Sequence, residues 1–336
     1  MAITILDQRD KAELKAMIED IGDGVVTKTT SLTEDEIASC KEFASLYVDT
    51  TGRTESLIFF SDPHTTTKAT ADGDVTENFE KGLDRIKAVY DHTPISTCIC
   101  GGDWLNNSNS KENALWILGK IDGAMKARFD RYINVVGNHD TNNIGASGNN
   151  TLSPNAVSNI WHSKYGKSYF SVDGDSTKFY VFDSWIDSNR QMTPYRWEQI
   201  DWFANALLTD KPERSAILIH IVVDYSTPGD STTLGVMPFM DNITKVAQVF
   251  NSRSSITLNN KTYDFASAEG KVNFALGGHW HADLYYEHND IPIVLTTQLW
   301  SDSSAPSYDL VLADYGANKL KLVRVGVGEN REFDMA

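Results

Sequence analysis

Eight residues of this 336-residue chain have types that bind metal ions and fall in short clusters: Asp62 and His64 in Asp62-Pro63-His64, Asp103 after Gly101-Gly102, Asn138 and His139 in Gly137-Asn138-His139-Asp140, His220 alone, and His279 and His281 in Gly278-His279-Trp280-His281. Together they supply two carboxylates, an amide and five imidazoles, more than one ion needs. Two divalent ions about 3.5–4 Å apart need a shared oxygen, which a carboxylate such as Asp103 can give. The mixture of His and carboxylate suits Zn, Fe or Mn, whereas Ca or Mg takes oxygen ligands almost exclusively. On extended backbone, side chains two apart point the same way, so the 62/64 and 279/281 pairs are each expected to face one side and to chelate one ion or straddle two. A strand-to-helix turn can be made by Gly137 and Asn138 alone, because both types tolerate positive φ. The adjacent His139 and Asp140 are surplus to turning, and they mark this stretch as chemistry.

Each cluster follows a short apolar run: Leu57 to Phe60, Ile95 to Cys100, Tyr132 to Val136, Ala216 to Ile219, and Val272 to Leu276. Such runs are too short for helices and, bounded by polar residues, read as buried strands. Helical patterns through Phe79, Leu83, Ile86 and Val89, and again over Ala114 to Phe129, separate the first three. The order β-α-β-α-β predicts parallel strands covered on both faces, with the polar clusters at strand C-terminal ends, where open α/β sheets bind ligands. Further on, Ser168 to Val172 and Lys178 to Phe182 form a hairpin about Asp173-Gly174-Asp175. Trp197 to Leu208 reads as a helix burying Ile200, Trp202, Phe203 and Leu207; a helix near Asn242 to Phe250 and a hairpin turning at Asn259-Asn260 follow. Ile293 to Thr296, Leu310 to Ala313 and Leu320 to Val325 are tail strands. The expected fold is α/β: a two-sheet mixed β-sandwich flanked by helices.

Ahead of this domain, residues 9–21 (apolar Leu14, Met17, Ile18, Ile21) and 34–48 (Thr33 cap, Glu36 three residues on, stripe Cys40, Phe43, Ala44, Tyr47) read as amphipathic helices. They make residues 1–50 an N-terminal helical appendage to a domain over 51–336, packed on it or serving as a docking or oligomerisation segment. Residues 221–270 form an insertion beside His220. Its Pro228-Gly229 loop, from Asp224 and Tyr225 to Gly235, is placed to form a lid.

Composition excludes several classes. With 41% hydrophobic and 23% charged residues the chain has the profile of a soluble globular protein. No run approaches the ~18 apolar residues of a membrane span, and the N-terminus lacks a secretory layout, so a cytoplasmic location is the default expectation, with no membrane partner. Cys40, Cys98 and Cys100 make no disulfide framework; Cys98 and Cys100 should share one strand face. Thirty basic against 46 acidic residues give a net charge of −16. That field disfavours long nucleic acid, while small anionic substrates remain compatible if metal ions reverse the charge locally.

In order and type, the clusters resemble the five motifs of the calcineurin-like metallophosphoesterases: D-x-H, G-D, G-N-H-D/E, a lone H, and G-H-x-H, here across residues 57–283. The hairpin ending Phe182-Asp183-Ser184 and the helix containing Trp202-Phe203 are also similar to that family. The resemblance implies the family's four-layer sandwich and two divalent or transition metal ions (Mn, Fe or Zn). It assigns Asp62, His64 and His281 to the first ion, Asp103 as bridge, and Asn138, His220 and His279 to the second. His139 would face the substrate phosphate as a catalytic residue, and Asp140 would orient it. The implied reaction is hydrolysis of a small phosphodiester or phosphomonoester by in-line attack of a metal-bridging hydroxide.

Two departures stand out: Asn106 occupies the position where the purple branch carries Tyr, and His220 lacks the Pro often found two residues on. His220 is thus the least secure ligand. His92, His162 and His288 lie outside the motifs and are expected to pack, and Trp104 and Trp280 to pack or to stack on a substrate. The alternative is a non-catalytic structural or binding module on the same scaffold, such as a phage particle component, to which the N-terminal helices bear some resemblance. The intact ligand set and His139 argue against it.

Overall fold

Leu57, Phe59, Ile58 and Phe60 alternate between two apolar surroundings, and that alternation organises the molecule. They lie on β1 (Thr54–Phe60), which pairs in parallel with β2 (Thr97–Cys100). The computed structural model describes residues 31–65, 77–106, 108, 110–142, 150–185, 195–222, 237–299 and 306–336. The first sheet adds β3 (Tyr132–Asn134) parallel to β2, and β12 (Tyr308–Asp314), β13 (Lys319–Val325) and β14 (Arg331–Asp334) as an antiparallel ribbon on the other side of β1. The second sheet runs β10 (Leu284–His288), β11 (Ile291–Leu295), β9 (Lys271–Gly278), β6 (Arg214–Ile221), β5 (Lys178–Val181), β4 (Phe170–Asp173), with β11, β9, β6 and β5 parallel. A separate hairpin, β7 (Ser255–Leu258) and β8 (Lys261–Asp264), turns at Asn259-Asn260.

The sheets face each other across a core of Leu57, Phe59, Ile99, Val181, Leu218 and Phe274, among others. On the outer face of the first sheet lie α1 (Glu34–Val48), α2 (Glu77–Asp91), α3 (Lys111–Arg128) and α4 (Pro154–Trp161). On that of the second lie α5 (Tyr195–Asp210) and α6 (Met237–Asn251). This is the expected two-sheet sandwich between helical layers, and the motif-bearing strands β1, β2, β3, β6 and β9 all point their C-terminal ends at one edge.

The capping box of Thr33 and Glu36 starts α1 as expected. Its Cys40 and Phe43 enter the core under the first sheet, and Ser39 Oγ donates to the Arg324 carbonyl at 2.8 Å. The helix expected over 9–21 lies outside the described residues. So does the loop expected as a lid, residues 223–236; the described remainder of 221–270 supplies α6 and the β7–β8 hairpin, whose apolar residues join the outer core of the second sheet. All three cysteines are buried and free, and Cys98 and Cys100 share the helix-facing side of β2. No helix among the described residues is long and apolar enough to cross a membrane. The strands β10 and β14 were not anticipated. Both are sheet edges with alternating, half-exposed residues, so neither carries an apolar run.

Candidate metal centre

The clusters meet at that shared edge. Ligand atoms of Asp62, His64 and His281 lie within 4.8 Å of one another, as do those of Asp103, His220 and His279, and those of His64, Asp103 and His139. Asp103 belongs to two of these groups, the position a bridging carboxylate needs.

The backbone that brings them together is not extended. Asp62 (φ 55), His64 (φ 44), Asp103 (φ 56), His279 (φ 75) and His281 (φ 53) are all left-handed. The expectation that alternation along an extended segment aligns the 62/64 and 279/281 pairs is therefore corrected. Left-handed residues curl each loop so that its side chains converge on one point, and Asp and His are among the non-glycine types that tolerate this region best. Main-chain bonds stitch the curls together: Asp62 N–H donates to Gly102 O and His64 N–H to Asp103 O, both at 3.0 Å. His220 lies within β6 rather than just past it, beside a register shift between Leu218 and Ile221 that breaks the regular ladder with β9.

Each clustered carboxylate is held by one oxygen and offers the other. Asp62 Oδ2 accepts the His279 N–H at 3.0 Å, while Oδ1, buried and without a hydrogen-bond partner, lies 3.2 Å from His281 Nε2 and 3.6 Å from His64 Nε2. Asp103 Oδ1 accepts the His139 N–H at 2.8 Å, while Oδ2 sits 2.9 Å from His220 Nε2, 3.9 Å from His139 Nε2 and 4.0 Å from His64 Nε2. His220 Nδ1 lies 2.8 Å from the Gly101 carbonyl, which can only accept, so the proton belongs on Nδ1 and the Nε2 lone pair is turned inward. Asn138 Oδ1 is buried and unpartnered. Buried acceptors without donors are costly, and His with carboxylate and amide oxygen is the donor set of a transition-metal site. These residues fit divalent metal ions, as the motifs imply.

The charges respond to this crowding. Burial lowers His220, but the Asp103 and Asp62 carboxylates outweigh it and raise the imidazole to about 9. Burial raises Asp103, yet His220 and His139 prevail and hold it at about 2. His279 is pushed down to about 4 by burial and by His220. His139 is lowered by burial; Asp103 opposes this, and His64 and His220 add to it.

Gly137 does not turn the chain through positive φ, as its place after a strand suggested. A Cβ there would stand 2.1 Å from Asp103 Oδ1, so the glycine lets β3 approach the carboxylate. Asp140 likewise has a different task from the expected one. Its Oδ2 accepts from the Gly137 and Asp103 N–H groups at 2.8 and 3.0 Å, and its Oδ1 from Leu105 N–H at 3.0 Å. Both oxygens are occupied by backbone, whereas His139 Nδ1 is buried without a partner. Asp140 therefore clamps the second and third motif loops together rather than orienting the imidazole. Burial and the nearby Asp103 raise it to about 7.

Several contributors escaped the sequence. Ser184 N–H donates to Val136 O at 3.0 Å and its Oγ accepts from Ile221 N–H at 2.9 Å, joining the loop of Asn138 to the neighbour of His220. Asp183 makes a buried ion pair with Arg196 at 2.5 Å. The ending Phe182-Asp183-Ser184 was the one visible signal for both. Trp280 donates its indole N–H to Val222 O at 2.5 Å and packs on the second sheet's outer core, and Trp104 donates to Asn134 Oδ1 at 3.1 Å. His92, His162 and His288 lie away from the cluster: His162 is buried beside Phe170, and His288 is 3.0 Å from Asp241.

A two-sheet α/β sandwich with a His/Asp cluster at the C-terminal ends of its parallel strands defines a class of metal-dependent proteins. Residues 56–283 match the calcineurin-like phosphoesterase family, and the chain belongs to it. Among solved structures, a dimetal phosphatase from Danio rerio is similar over 83% of this chain and 98% of its own, with 10% identity and a TM-score of 0.53, a likeness of fold. A purple acid phosphatase from yellow lupin (Lupinus luteus) seeds aligns with 85% of this chain and 53% of its own, at 14% identity and a TM-score of 0.48. No curated protein matched.

Proposed function

We propose that the protein hydrolyses a small phosphate ester, monoester or diester, with two transition-metal ions in the cluster. Asp62, His64 and His281 would hold the first ion, Asn138, His220 and His279 the second, and Asp103 both. The observation that carries this reading is the division of labour in Asp62 and Asp103, each with one oxygen fixed by a backbone N–H and the other turned among imidazoles. When bound, such ions supply positive charge at the phosphoryl oxygens and make a water nucleophilic near neutral pH.

The chain's own groups do the rest. His139 Nε2 faces the cluster 3.9 Å from Asp103 Oδ2, and its ring packs edge-on against His64 with centroids 4.7 Å apart. An N–H there can donate to a phosphoryl or leaving oxygen as negative charge develops on it. Asp140 and Ser184 hold the loops that aim these ligands. The net charge of −16 favours a small ester over a long polyanion, because the surface field opposes an extended anion.

The test is direct. Metal-stripped protein, reconstituted with Mn²⁺, Zn²⁺ or Fe²⁺, should hydrolyse bis-p-nitrophenyl phosphate or p-nitrophenyl phosphate. Absence of turnover with every ion, or turnover untouched in His139→Ala, overturns the reading.

A further inference from the structure

The turn carrying His281 is tied to the opposite sheet by a network outside the ligand set. Thr297 Oγ1 donates to the His281 carbonyl at 3.2 Å, and Thr297 N–H donates to Asp283 Oδ1 at 3.0 Å. Asp283 Oδ1 in turn receives the Arg324 guanidinium and lies 3.5 Å from Arg331 Nη2. Both arginines close on Asp309: Arg324 Nε is 3.2 Å from Oδ1 and Arg331 Nη2 is 3.0 Å from Oδ2. Arg331 Nη1 also donates to the Leu295 carbonyl at 3.0 Å.

The geometry crosses the sandwich. Asp309, Arg324 and Arg331 sit on β12, β13 and β14 of the first sheet, whereas Leu295 ends β11 of the second and Asp283 and Thr297 flank β10 and β11. Two guanidiniums and two carboxylates balance to zero charge, with Arg324 and Asp309 almost wholly buried. Such groups persist in the interior only when paired and hydrogen-bonded. His281 needs outside support: its side chain is 41% exposed and its backbone is left-handed. Its ring meets His64, with centroids 4.9 Å apart, and Asp62 Oδ1 at 3.2 Å, both within the cluster, while the hydrogen bond on its carbonyl holds the backbone from which the imidazole projects.

We propose that Arg324, Asp283 and Thr297, anchored by Asp309 and Arg331, are positioning residues that hold His281 in place as a ligand of the first ion. The strength of that one ion's binding is then set from the edge of the opposite sheet. The proposal rests on the two-ion reading above. Partners that orient metal ligands carry about 10–100-fold in affinity.

The experiment titrates full-length, metal-stripped protein with Mn²⁺ by isothermal calorimetry, alongside the Tm of each metal-free protein. Asp283→Asn keeps an acceptor for Thr297 N–H but removes the charge that draws Arg324. The expected result is one Mn²⁺ affinity weakened about 10-fold or more, the other unchanged, and the weakened class the same one lost in His281→Ala. Thr297→Val, which deletes only the hydroxyl contact, should weaken the same class less, and decides the matter alone if Asp283→Asn does not fold. Two wild-type affinities in the folded variants, whatever their Tm, overturn the proposal, as does an equal fall in both. A wild-type protein that binds no Mn²⁺ removes the two-ion reading itself, a failure visible before any variant is made.

Discussion

His220 and His281 lie on opposite sides of one cluster and are held by opposite means. His220 is fully buried within β6, its Nδ1 on a main-chain carbonyl and its neighbour Ile221 pinned by Ser184. His281 stands on a turn, 41% exposed, its carbonyl reached through Thr297 from a charge network on the far sheet. One side of the centre is thus part of the core, and the other is attached to it. The second-ion side should be preset and costly to remove, whereas the first-ion side should exchange its ion more readily and tolerate loss of a ligand without unfolding.

The seam between the sides should break most severely. Asp103→Asn alters the one carboxylate common to both, and kcat/KM for bis-p-nitrophenyl phosphate is expected to fall by about three orders of magnitude, several kcal/mol of barrier. Metal content measured by mass spectrometry should fall with it. His139→Ala should lower kcat about 10²-fold while both ions stay bound, which separates this imidazole from either side. The two histidines themselves give the sharpest contrast in stability. His220→Ala opens a cavity and leaves Asp62 and Asp103 uncompensated, so the metal-free protein should lose about 3 kcal/mol by denaturant titration. His281→Ala should cost well under about 1 kcal/mol, as exposed substitutions do.

The contrast also has a pH dependence, on the buried side. His220 rises from an ordinary 6.5 to about 9 in the folded protein because Asp103 and Asp62 outweigh its burial. Protonation therefore favours the metal-free fold: its contribution is complete below about 6.5 and is lost as pH climbs through about 9. The Tm of metal-free protein should fall across that window, and Mn²⁺ should flatten the fall by taking the proton's place. An unchanged Tm between pH 6.5 and 9 would contradict the strong coupling of His220 to the two carboxylates.

Much of the buried side was legible in the sequence. Five apolar runs ending in polar clusters fixed the parallel strands, because a buried strand must be written in adjacent residues. The identities of Asp62, Asp103, Asn138 and His220 were as visible as their strands. The attached side was legible only as a ligand list. Asp283, Asp309, Arg324 and Arg331 are spread over almost fifty residues and look like ordinary surface charges until two sheets bring them together. The task of Asp140 was hidden for a related reason: three backbone N–H donors from two loops leave no mark in residue type. The edge strands β10 and β14 went unseen because half-exposed residues alternate there without an apolar run.

The five left-handed residues of the cluster limit how this centre could be moved or rebuilt. Each holds a conformation that costs a non-glycine residue about 1 kcal/mol or more. Exchanging one for glycine would relax the main chain and delete the donor, while exchanging it for a branched residue would deepen the strain. A designer who grafted the same amino acids onto regular strand ends would obtain the right alphabet aimed in the wrong directions. What must be transplanted is the set of curled loops, with Asp140 clamping two of them and the arginine network fastening a third.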